Sequence, residues 1–394
     1  MKSLLFVIES LGIGGAEKSL VTLLNLLDYT TYEVDLQLFS YGGELEGMLP
    51  KQVNLLPPLP YYESLKEPLR TYSFHNPLKY TKARLAYSAE IRKNELTNPE
   101  KAVVFWKTSH NCFEQNEKEY DVAIAYAQGT PTFYVADCVK AEKKYAWVNV
   151  TYKPDGEYRE YNLEKYHCFN KIVCVSDTTQ SLFEEWFPEL KGFTTVIRDI
   201  MDADIISQMA EWKSDAEQDM AGGSVKLLTA GRLVKQKGYD IALDACEILK
   251  NRGLSFKWYI LGKGYLEEEI RTGIREKQLG DHMILLGTTA NPYPYFMQAD
   301  IYVQTSRLEG FGIAIAEARI LSVPVVTTEF DAVYTQMVNG ENGLVVDVTA
   351  EAVADGIERL FTDKVLYDHI KQYQSHEKKG NTEELDKFYQ LIES

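Results

Sequence analysis

The chain opens with a succession of apolar and polar positions that predicts a parallel β-sheet. Residues 4–10 form an apolar run of strand length, and a glycine-rich turn follows it. Residues 18–28 then carry apolar side chains at helical spacing, and residues 32–40 alternate apolar and polar positions as a strand does. A strand, a helix and a second strand in this order predict a βαβ unit.

This pattern continues along the first half of the chain and restarts in the second half. Apolar runs recur at 122–127 and 171–176, separated by helical stretches. The second half has five runs of strand length, with helical stretches between them: 225–231, 256–264, 283–287, 300–306 and 323–329. The restart predicts a second α/β domain.

A polar stretch separates the two halves and sets the predicted domain boundaries. It ends in Ala221-Gly222-Gly223-Ser224, which is typical of a linker. The 394 residues are enough for two or three domains. We therefore predict a first domain over 1–200, a linker region over 201–224, a second domain over 225–375 and a terminal helix over 376–394.

Composition and charge exclude several classes of protein. The 42 Lys and Arg against 58 Asp and Glu give a net charge of −16, which argues against nucleic acid as a partner. Five scattered cysteines without a Cys-x-x-Cys pair indicate a reducing compartment and no structural zinc. The first apolar run is too short for a signal peptide or a membrane span. We expect a cytoplasmic protein with at most a peripheral membrane contact.

One stretch departs from this acidic character. Residues 66–107 carry nine Lys or Arg against four Glu, which gives a local charge of +5. Aromatic residues are interleaved with these charges: Tyr72, Phe74, Tyr80, Tyr87, Phe105 and Trp106. A basic aromatic stretch of this kind suits an anionic membrane surface. The alternative is a solvated helical insertion with some of its rings in the core.

The turn after the first strand has the composition of an anion site. Gly12, Gly14 and Gly15 precede a helix, and glycines let backbone N–H groups approach an anion at a helix N-terminus. A dinucleotide fingerprint requires glycine where Glu17 stands, so a Rossmann dehydrogenase is disfavoured. The alternative is a tight turn without a ligand.

A second loop of this kind opens the second domain. The sequence from Gly231 to Gly238 follows a strand and precedes a helix. Arg232 offers a planar fork of donors and Lys237 a point charge, which together suit a diphosphate. The spacing of a P-loop is absent, and the alternative is a solvated basic turn.

Two glutamates flank the start of a predicted apolar helix near residues 313–320. Glu309 precedes this helix and Glu317 lies within it, with Gly310-Phe311-Gly312 between them. Eight residues of helix would rise about 12 Å and set the two side chains roughly 80° apart, which suits an extended ligand. A carboxylate accepts two hydroxyl hydrogen bonds, as the diols of sugars require. Alternatively, Glu309 caps the helix electrostatically and Glu317 is exposed to solvent.

Taken in order, these motifs resemble a known family of enzymes. Gly14-Gly15-Ala16-Glu17, the loop from Gly231 to Gly238 and the pair Glu309 and Glu317 are similar to the retaining GT-B glycosyltransferases of glycosyltransferase family 4. The resemblance covers most of residues 1–20 and 225–347. Asn291-Pro292-Tyr293 and the run from Asp300 to Val303 are similar to members that build bacterial surface polysaccharides.

The resemblance implies an α/β architecture of two Rossmann-like domains facing a cleft, with the C-terminal helix returning to the first domain. It also implies a donor site for a nucleotide diphosphate sugar. In that site Arg232 and Lys237 bind the diphosphate, Glu317 holds the ribose, and Glu309 holds the transferred sugar. The backbone at Gly310, Phe311 and Gly312 supports that sugar, and Gly14 and Gly15 close over the phosphates.

We expect Glu309, Arg232 and Lys237 to be catalytic without a metal or other cofactor, because the two basic residues supply positive charge and the sequence has no convincing carboxylate pair for a metal. One position departs from the family's pattern, because Asn149 stands where related sequences often carry histidine. An asparagine positions an acceptor hydroxyl but cannot act as a base. The Asp-x-Asp pattern at Asp202 and Asp204 is interpreted as a turn or a helix start, not as a metal site.

The predicted function is retaining, metal-independent transfer of a sugar, with UDP as the expected nucleotide, to a hydroxyl of a glycan or lipid-linked acceptor. Catalysis would rest on positioning and on stabilising the negative charge of the leaving diphosphate. Two rivals stay open: an epimerase acting on a nucleotide sugar, and a noncatalytic protein that binds a sugar nucleotide.

Overall fold

The structure is a computed structural model that describes residues 1–12, 14–68, 77–93, 96–150, 152–222 and 224–394. The chain divides into two compact units. The first comprises 1–12, 16–198 and 383–394, and the second comprises 14–15 and 199–382. None of the helices in the described ranges combines the length and the hydropathy that crossing a bilayer requires.

The first unit contains a parallel sheet of seven strands in the order β3-β2-β1-β4-β5-β6-β7. The strands are β1 Lys2–Ile8, β2 Tyr32–Leu38, β3 Asn54–Leu55, β4 Glu119–Ala125, β5 Lys140–Val148, β6 Lys171–Cys174 and β7 Thr194–Val196. The middle of β1 is buried on both faces, since helices cover both sides of such a sheet. The runs predicted at 4–10, 32–40, 122–127 and 171–176 are confirmed as strands.

Helices connect the strands of the first unit. Those within the described ranges are Gly15–Leu26, Pro60–Ser64, Leu78–Lys93, Asn98–Ser109, Thr130–Cys138, Gly156–Tyr166, Asp177–Trp186 and Glu384–Glu393. The last of these is the C-terminal helix, which packs on the first unit as predicted. Phe388 lies 6.0 Å from Phe6 between ring centroids, and the hydroxyl of Tyr145 donates to the carbonyl of Leu391 at 2.7 Å.

The second unit contains a parallel sheet of six strands in the order β10-β9-β8-β11-β12-β13. The strands are β8 Val225–Ala230, β9 Phe256–Leu261, β10 Met283–Gly287, β11 Ile301–Gln304, β12 Val325–Thr328 and β13 Gly343–Val346. All five strands predicted for this half are present. The strands contribute buried side chains to the hydrophobic core of this unit, among them Leu227, Trp258, Val303 and Val326.

Helices alternate with these strands. They are Ala203–Ala210, Ala216–Asp219, Tyr239–Asn251, Glu267–Glu276, Tyr293–Gln298, Ile313–Ile320, Ala350–Thr362 and Lys364–His376. In Tyr239–Asn251 the residues Ala242, Cys246 and Leu249 recur at helical spacing and are fully buried, so one stripe faces the core. The described part of the region 201–224 carries the helices Ala203–Ala210 and Ala216–Asp219 and groups with the second unit.

Where the structure describes the basic stretch over 66–107, it shows the helices Leu78–Lys93 and Asn98–Ser109 of the first unit. Tyr80 and Trp106 are buried, and Tyr80 packs with Tyr61 in a small aromatic cluster, as the alternative of a helical insertion predicted. Tyr72 and Phe74 lie outside the described residues. Among the side chains described over 78–92 of the helix Leu78–Lys93, the exposed ones are aliphatic or basic instead of aromatic.

Candidate functional site

The strand order brings two loops of the second unit together. The chain order of that sheet reverses between β8 and β11, which are hydrogen-bonded neighbours. Ligands of doubly wound sheets bind at the carboxyl ends of the strands at such a switch point. Residues 231–238 follow β8 and residues 305–312 follow β11, so two of the predicted motifs leave the sheet at adjacent positions.

Close backbone packing fixes the first of these loops. A 3-10 turn over Lys235–Lys237 ends at Gly238, whose φ of 66° lies in the left-handed region that favours glycine. A Cβ at this position would stand 2.0 Å from the carbonyl oxygen of Thr305. The hydroxyl of Thr305 donates to the carbonyl of Lys237 at 2.9 Å, so the two loops are bound to each other.

Lys237 and Glu309 meet between these loops as an ion pair. The Nζ of Lys237 lies 2.5 Å from Oε1 of Glu309, and the two side chains are 17% and 11% exposed. The same oxygen accepts from Oγ of Ser306 at 2.6 Å and from Nε2 of Gln304 at 3.0 Å. An ammonium and a carboxylate are therefore held at one point, each partly accessible, at the switch point of the sheet.

A buried tyrosine supports this pair from within the sheet. The hydroxyl of Tyr302 donates to Oε1 of Gln304 at 2.9 Å, which leaves the amide of Gln304 oriented toward Glu309. Burial raises the pKa of Tyr302 well above its ordinary value, and the nearby Glu309 raises it further. The phenol therefore stays protonated and keeps its role as a donor.

Glu317 lies inside the protein, which contradicts the alternative of a solvent-exposed glutamate. It is 1% exposed, and Oε1 accepts from the hydroxyl of Tyr293 at 3.0 Å. Burial, and then the adjacent carboxylate, raise the pKa of Tyr293 well above its ordinary value, so this hydroxyl also remains a donor. A buried carboxylate needs polar partners, and Tyr293 is one of them.

The helical relationship assumed for Glu309 and Glu317 is wrong. The helix begins only at Ile313, and Gly312 precedes it with a φ of 83°. Glu309 therefore lies in a loop, so its position relative to Glu317 does not follow the rise of a continuous helix. The reason is local, because the glycine-flanked turn at Gly310-Phe311-Gly312 interrupts the helical path before it starts.

This turn presents the start of the helix Ile313–Ile320 at the switch point. The first N–H groups of a helix have no partner within it and can receive an anion or a sugar oxygen. The side-chain amide of Gln336 donates to the carbonyls of Phe311 and Gly312, the second at 3.2 Å. The turn is therefore attached to the body of the second unit.

Arg232 occupies the exposed edge of the first loop. Its side chain faces solvent, and among the described residues no ion pair or hydrogen bond of its guanidinium is present. The backbone beside it is tightly packed, because a Cβ at Gly262 would stand 1.9 Å from the carbonyl oxygen of Gly231. A fixed backbone with an accessible guanidinium suits capture of an anionic group.

The remaining candidates follow strands of the first sheet along the chain. Nδ2 of Asn149, just after β5, donates to the carbonyl of Tyr126 at 2.7 Å, and its backbone N–H donates to Oε1 of Gln128 at 3.1 Å. This fixes Asn149 beside the loop that follows β4. Gly15 is the first residue of the helix Gly15–Leu26, and Gly14 directly precedes it.

The Asp-x-Asp pattern forms a helix start, as predicted. Asp202 caps the helix Ala203–Ala210, and its side chain accepts from the backbone N–H groups of Asp204 and Ile205. Across the described ranges, no group of three or more His, Cys, Asp or Glu side chains is arranged to hold a metal ion.

Several contributing residues were not predicted as part of the site. Gln304, Ser306 and Gln336 belong to none of the motifs, and only the fold shows which groups they contact. Tyr302 lies in the run from Asp300 to Val303, but that run indicated no role for it in the site. Ser306 and Gln304 had one available signal, since they stand at the end of a predicted strand immediately before Glu309. Gln336 had none, because it reaches the site through tertiary packing.

Comparison with known proteins finds similarity in the segment that contains both loops. Residues 210–377 match the family Glycosyl transferases group 1. Amylovoran biosynthesis glycosyltransferase AmsK of Erwinia amylovora is 31% identical over 145 residues, or 34% of this chain and 36% of that protein. Capsular polysaccharide biosynthesis glycosyltransferase CapM of Staphylococcus aureus is 29% identical over 142 residues, or 36% and 37% of the two chains. The chain thus matches less than half the length of these curated relatives.

Solved structures are similar over the whole chain. A variant of S. aureus TarM, in complex with fondaparinux, α-GlcNAc-glycerol and UDP, has a TM-score of 0.70 at 13% identity, with 100% of each chain covered. HepE of Anabaena, in complex with UDP and glucose, has a TM-score of 0.67 at 15% identity, again with 100% of each chain covered. The predicted fold class is therefore confirmed: two Rossmann-like α/β units of the GT-B glycosyltransferase fold.

Proposed function

We propose that this protein is a glycosyltransferase that takes a sugar from a nucleotide diphosphate sugar, with UDP as the expected nucleotide. The acceptor is a hydroxyl of a glycan or lipid-linked molecule in cell-surface polysaccharide synthesis. The observation that carries the proposal is the ion pair of Lys237 and Glu309 at the switch point of the second sheet. It lies in the segment that matches the glycosyltransferase family.

Each side chain of the site has a role in this reaction. Arg232 and Lys237 bind the diphosphate, on which negative charge grows as the sugar leaves. Glu309 binds hydroxyls of the transferred sugar, and Glu317 with Tyr293 orders the ribose end of the donor.

Gly14 and Gly15 present backbone N–H groups to the phosphates, and Asn149 positions the acceptor hydroxyl.

Transfer proceeds with retention of configuration at the anomeric carbon. The bond between that carbon and the diphosphate oxygen breaks, and a bond to the acceptor oxygen forms on the same face of the sugar. The acceptor proton passes to the leaving phosphate oxygen, so the reaction balances without a protein base. Asparagine at position 149 is compatible with this course, because no side chain there has to accept a proton.

We expect activity to persist after metal removal, because Arg232 and Lys237 supply the positive charge that a bound cation would otherwise give. Product NMR with EDTA-treated enzyme checks metal independence and retention together. The product should still form, and its anomeric configuration should match that of the donor. Activity that disappears in EDTA and returns with manganese or magnesium would contradict metal independence. An inverted product would contradict retention.

Product NMR with and without an acceptor also separates a glycosyltransferase from its two rivals, the epimerase and the noncatalytic binding protein. An epimerase converts the nucleotide sugar in the absence of any acceptor, and a noncatalytic protein binds the donor without consuming it. A glycosyltransferase instead consumes the donor in proportion to the glycosylated acceptor.

We further propose that the helix Leu78–Lys93 contacts an anionic membrane surface that carries the acceptor. Leu78 and Leu85 are 77% and 55% exposed on this helix. Lys79, Lys82 and Arg92 are exposed on the same helix. Aliphatic side chains beside basic ones suit the boundary between headgroups and acyl chains.

Replacing Lys79, Lys82 and Arg92 by glutamine should weaken flotation with anionic vesicles at low salt. Each basic residue near such a surface contributes about 1 kcal/mol, so three should cost on the order of 100-fold in partitioning. A matched variant replaces the exposed Arg275, Lys364 and Lys371 of the second unit by glutamine and should float as the parent does. An equal loss of flotation in both variants would indicate that net charge alone drives vesicle binding, and it would contradict a specific membrane contact through the helix Leu78–Lys93.

A further inference from the structure

The turn at residues 310–312 is held in place by one buried glutamine. Nε2 of Gln336 donates to the carbonyl of Phe311 and, at 3.2 Å, to that of Gly312. A Cβ added to Gly312 would stand 3.0 Å from the same nitrogen, so the amide lies directly against the turn. Gln336 is 8% exposed, and its hydrogen bonds therefore form largely out of contact with water.

Gln336 is itself oriented by charged neighbours. Nη1 of Arg319 lies 3.5 Å from Oε1 of Gln336, and its guanidinium pairs with Glu377 through Nη2 at 2.6 Å and Nε at 3.1 Å. Nδ2 of Asn342 donates to the backbone carbonyl of Gln336 at 3.0 Å and to Glu377 at 3.2 Å. Because Arg319 occupies the acceptor end of the amide, its donor end is directed at the turn.

This cluster is built more firmly than a surface ion pair. The side chains of Arg319 and Glu377 are 15% and 12% exposed, and Asn342 is 1% exposed. Buried polar networks whose members satisfy one another hold a single geometry. Arg319 also lies on the helix Ile313–Ile320, two positions beyond Glu317, so the cluster connects that helix with the turn before it.

We propose that Gln336, oriented by Arg319 and Glu377, is a positioning residue that fixes the turn at 310–312 for the donor. This rests on the proposed function of the site. The turn places the first N–H groups of the helix Ile313–Ile320, and these groups serve the donor only if their direction is fixed before it binds. Gln336 acts through the turn and does not itself contact the donor.

Two substitutions test this role in different ways. Gln336→Ala removes the amide, and Gln336→Glu keeps its size and its acceptor for Arg319 but, ionised at pH 8, has no donor for the turn. Gln37 of the first unit offers the matched control, since it is 3% exposed and its Nε2 donates to the carbonyl of Leu38 at 2.7 Å. Gln37→Ala and Gln37→Glu thus remove a similar bond far from the turn in sequence.

Amide hydrogen exchange of the ligand-free protein is the first measurement. Exchange at residues 310–313 should accelerate at least about fivefold in both Gln336 variants, the factor expected for one lost hydrogen bond. Neither Gln37 variant should change it. Unchanged exchange in Gln336→Glu, with its melting temperature close to that of the parent, would overturn the positioning role.

Calorimetric titration with UDP then connects the turn with the donor. The Kd should rise at least about fivefold in the Gln336 variants and stay within about twofold in the Gln37 variants. Accelerated exchange with an unaltered Kd would overturn the connection to the donor. If the parent protein itself does not bind UDP or any other nucleotide, the proposed function fails, and the exchange experiment still decides whether Gln336 fixes the turn.

Discussion

Replacing Lys237 by alanine should lower kcat/KM for the donor by about 10- to 150-fold. A hydrogen bond to a charged group contributes roughly 1.5–3 kcal/mol, and about 1.4 kcal/mol corresponds to a factor of ten. Much of the loss should appear in kcat, because the contact to the diphosphate strengthens as charge accumulates in the transition state. Arg232→Ala should show a loss of the same order.

Lys235 provides the control for this experiment. It lies in the same 3-10 turn, and its side chain is exposed, so Lys235→Ala removes an equal charge from the same loop. Steady-state kinetics with the donor varied should give near-parental values for this variant. Near-parental kcat/KM in both Arg232→Ala and Lys237→Ala, with both proteins folded by circular dichroism, would remove the diphosphate site from this loop.

Glu309→Gln is the second substitution with a large expected effect. It removes the charge that binds Lys237 at 2.5 Å and that would accept hydroxyls of the sugar, so we expect a loss of about 10- to 150-fold in kcat/KM. Because the two residues contact each other, the effects should not be additive. The double variant with Lys237→Ala should lose less than the product of the two single losses.

The neighbouring pair of Arg307 and Asp240 is a matched control. It joins the loop after β11 to the start of the helix Tyr239–Asn251 at 2.6 Å, but its side chains are 42% and 63% exposed. Exposed pairs contribute about 0–1 kcal/mol, so Asp240→Asn should leave kcat/KM close to the parental value. Strictly multiplicative losses for Lys237 and Glu309 would mean that their ion pair does not operate as a unit.

Much of the fold was predictable because buried parallel strands read as apolar runs. Strand β5 was not predicted, since it begins with Lys140 and also carries Lys143 and Lys144. Only its last four residues, Tyr145 to Val148, are fully inside the sheet. Because charged residues occupy the exposed end of this strand, the apolar run at its buried end is too short to indicate a strand on its own.

The site was predictable where chemistry and strand ends coincide. Lys237 and Glu309 each follow a strand, and the switch point of the sheet brings those strand ends together. From the sequence alone, Glu317 could either bind a ligand or be exposed to solvent. Its burial in the structure excludes exposure. The role of Gln336 could not be predicted from the sequence, because its contact with Phe311 depends on how residues distant in the chain pack together.

The most direct test of the nucleotide-sugar site is a thermal-shift panel of nucleotide diphosphate sugars on the parent protein and on Lys237→Ala. A ligand at about 100 times its Kd stabilises the folded state by roughly 2.7 kcal/mol, which is a measurable rise in Tm. At least one donor, with UDP sugars expected first, should raise the Tm of the parent and raise that of Lys237→Ala clearly less. No shift with any nucleotide sugar, or an equal shift in both proteins, would contradict the site proposed around Lys237 and Glu309.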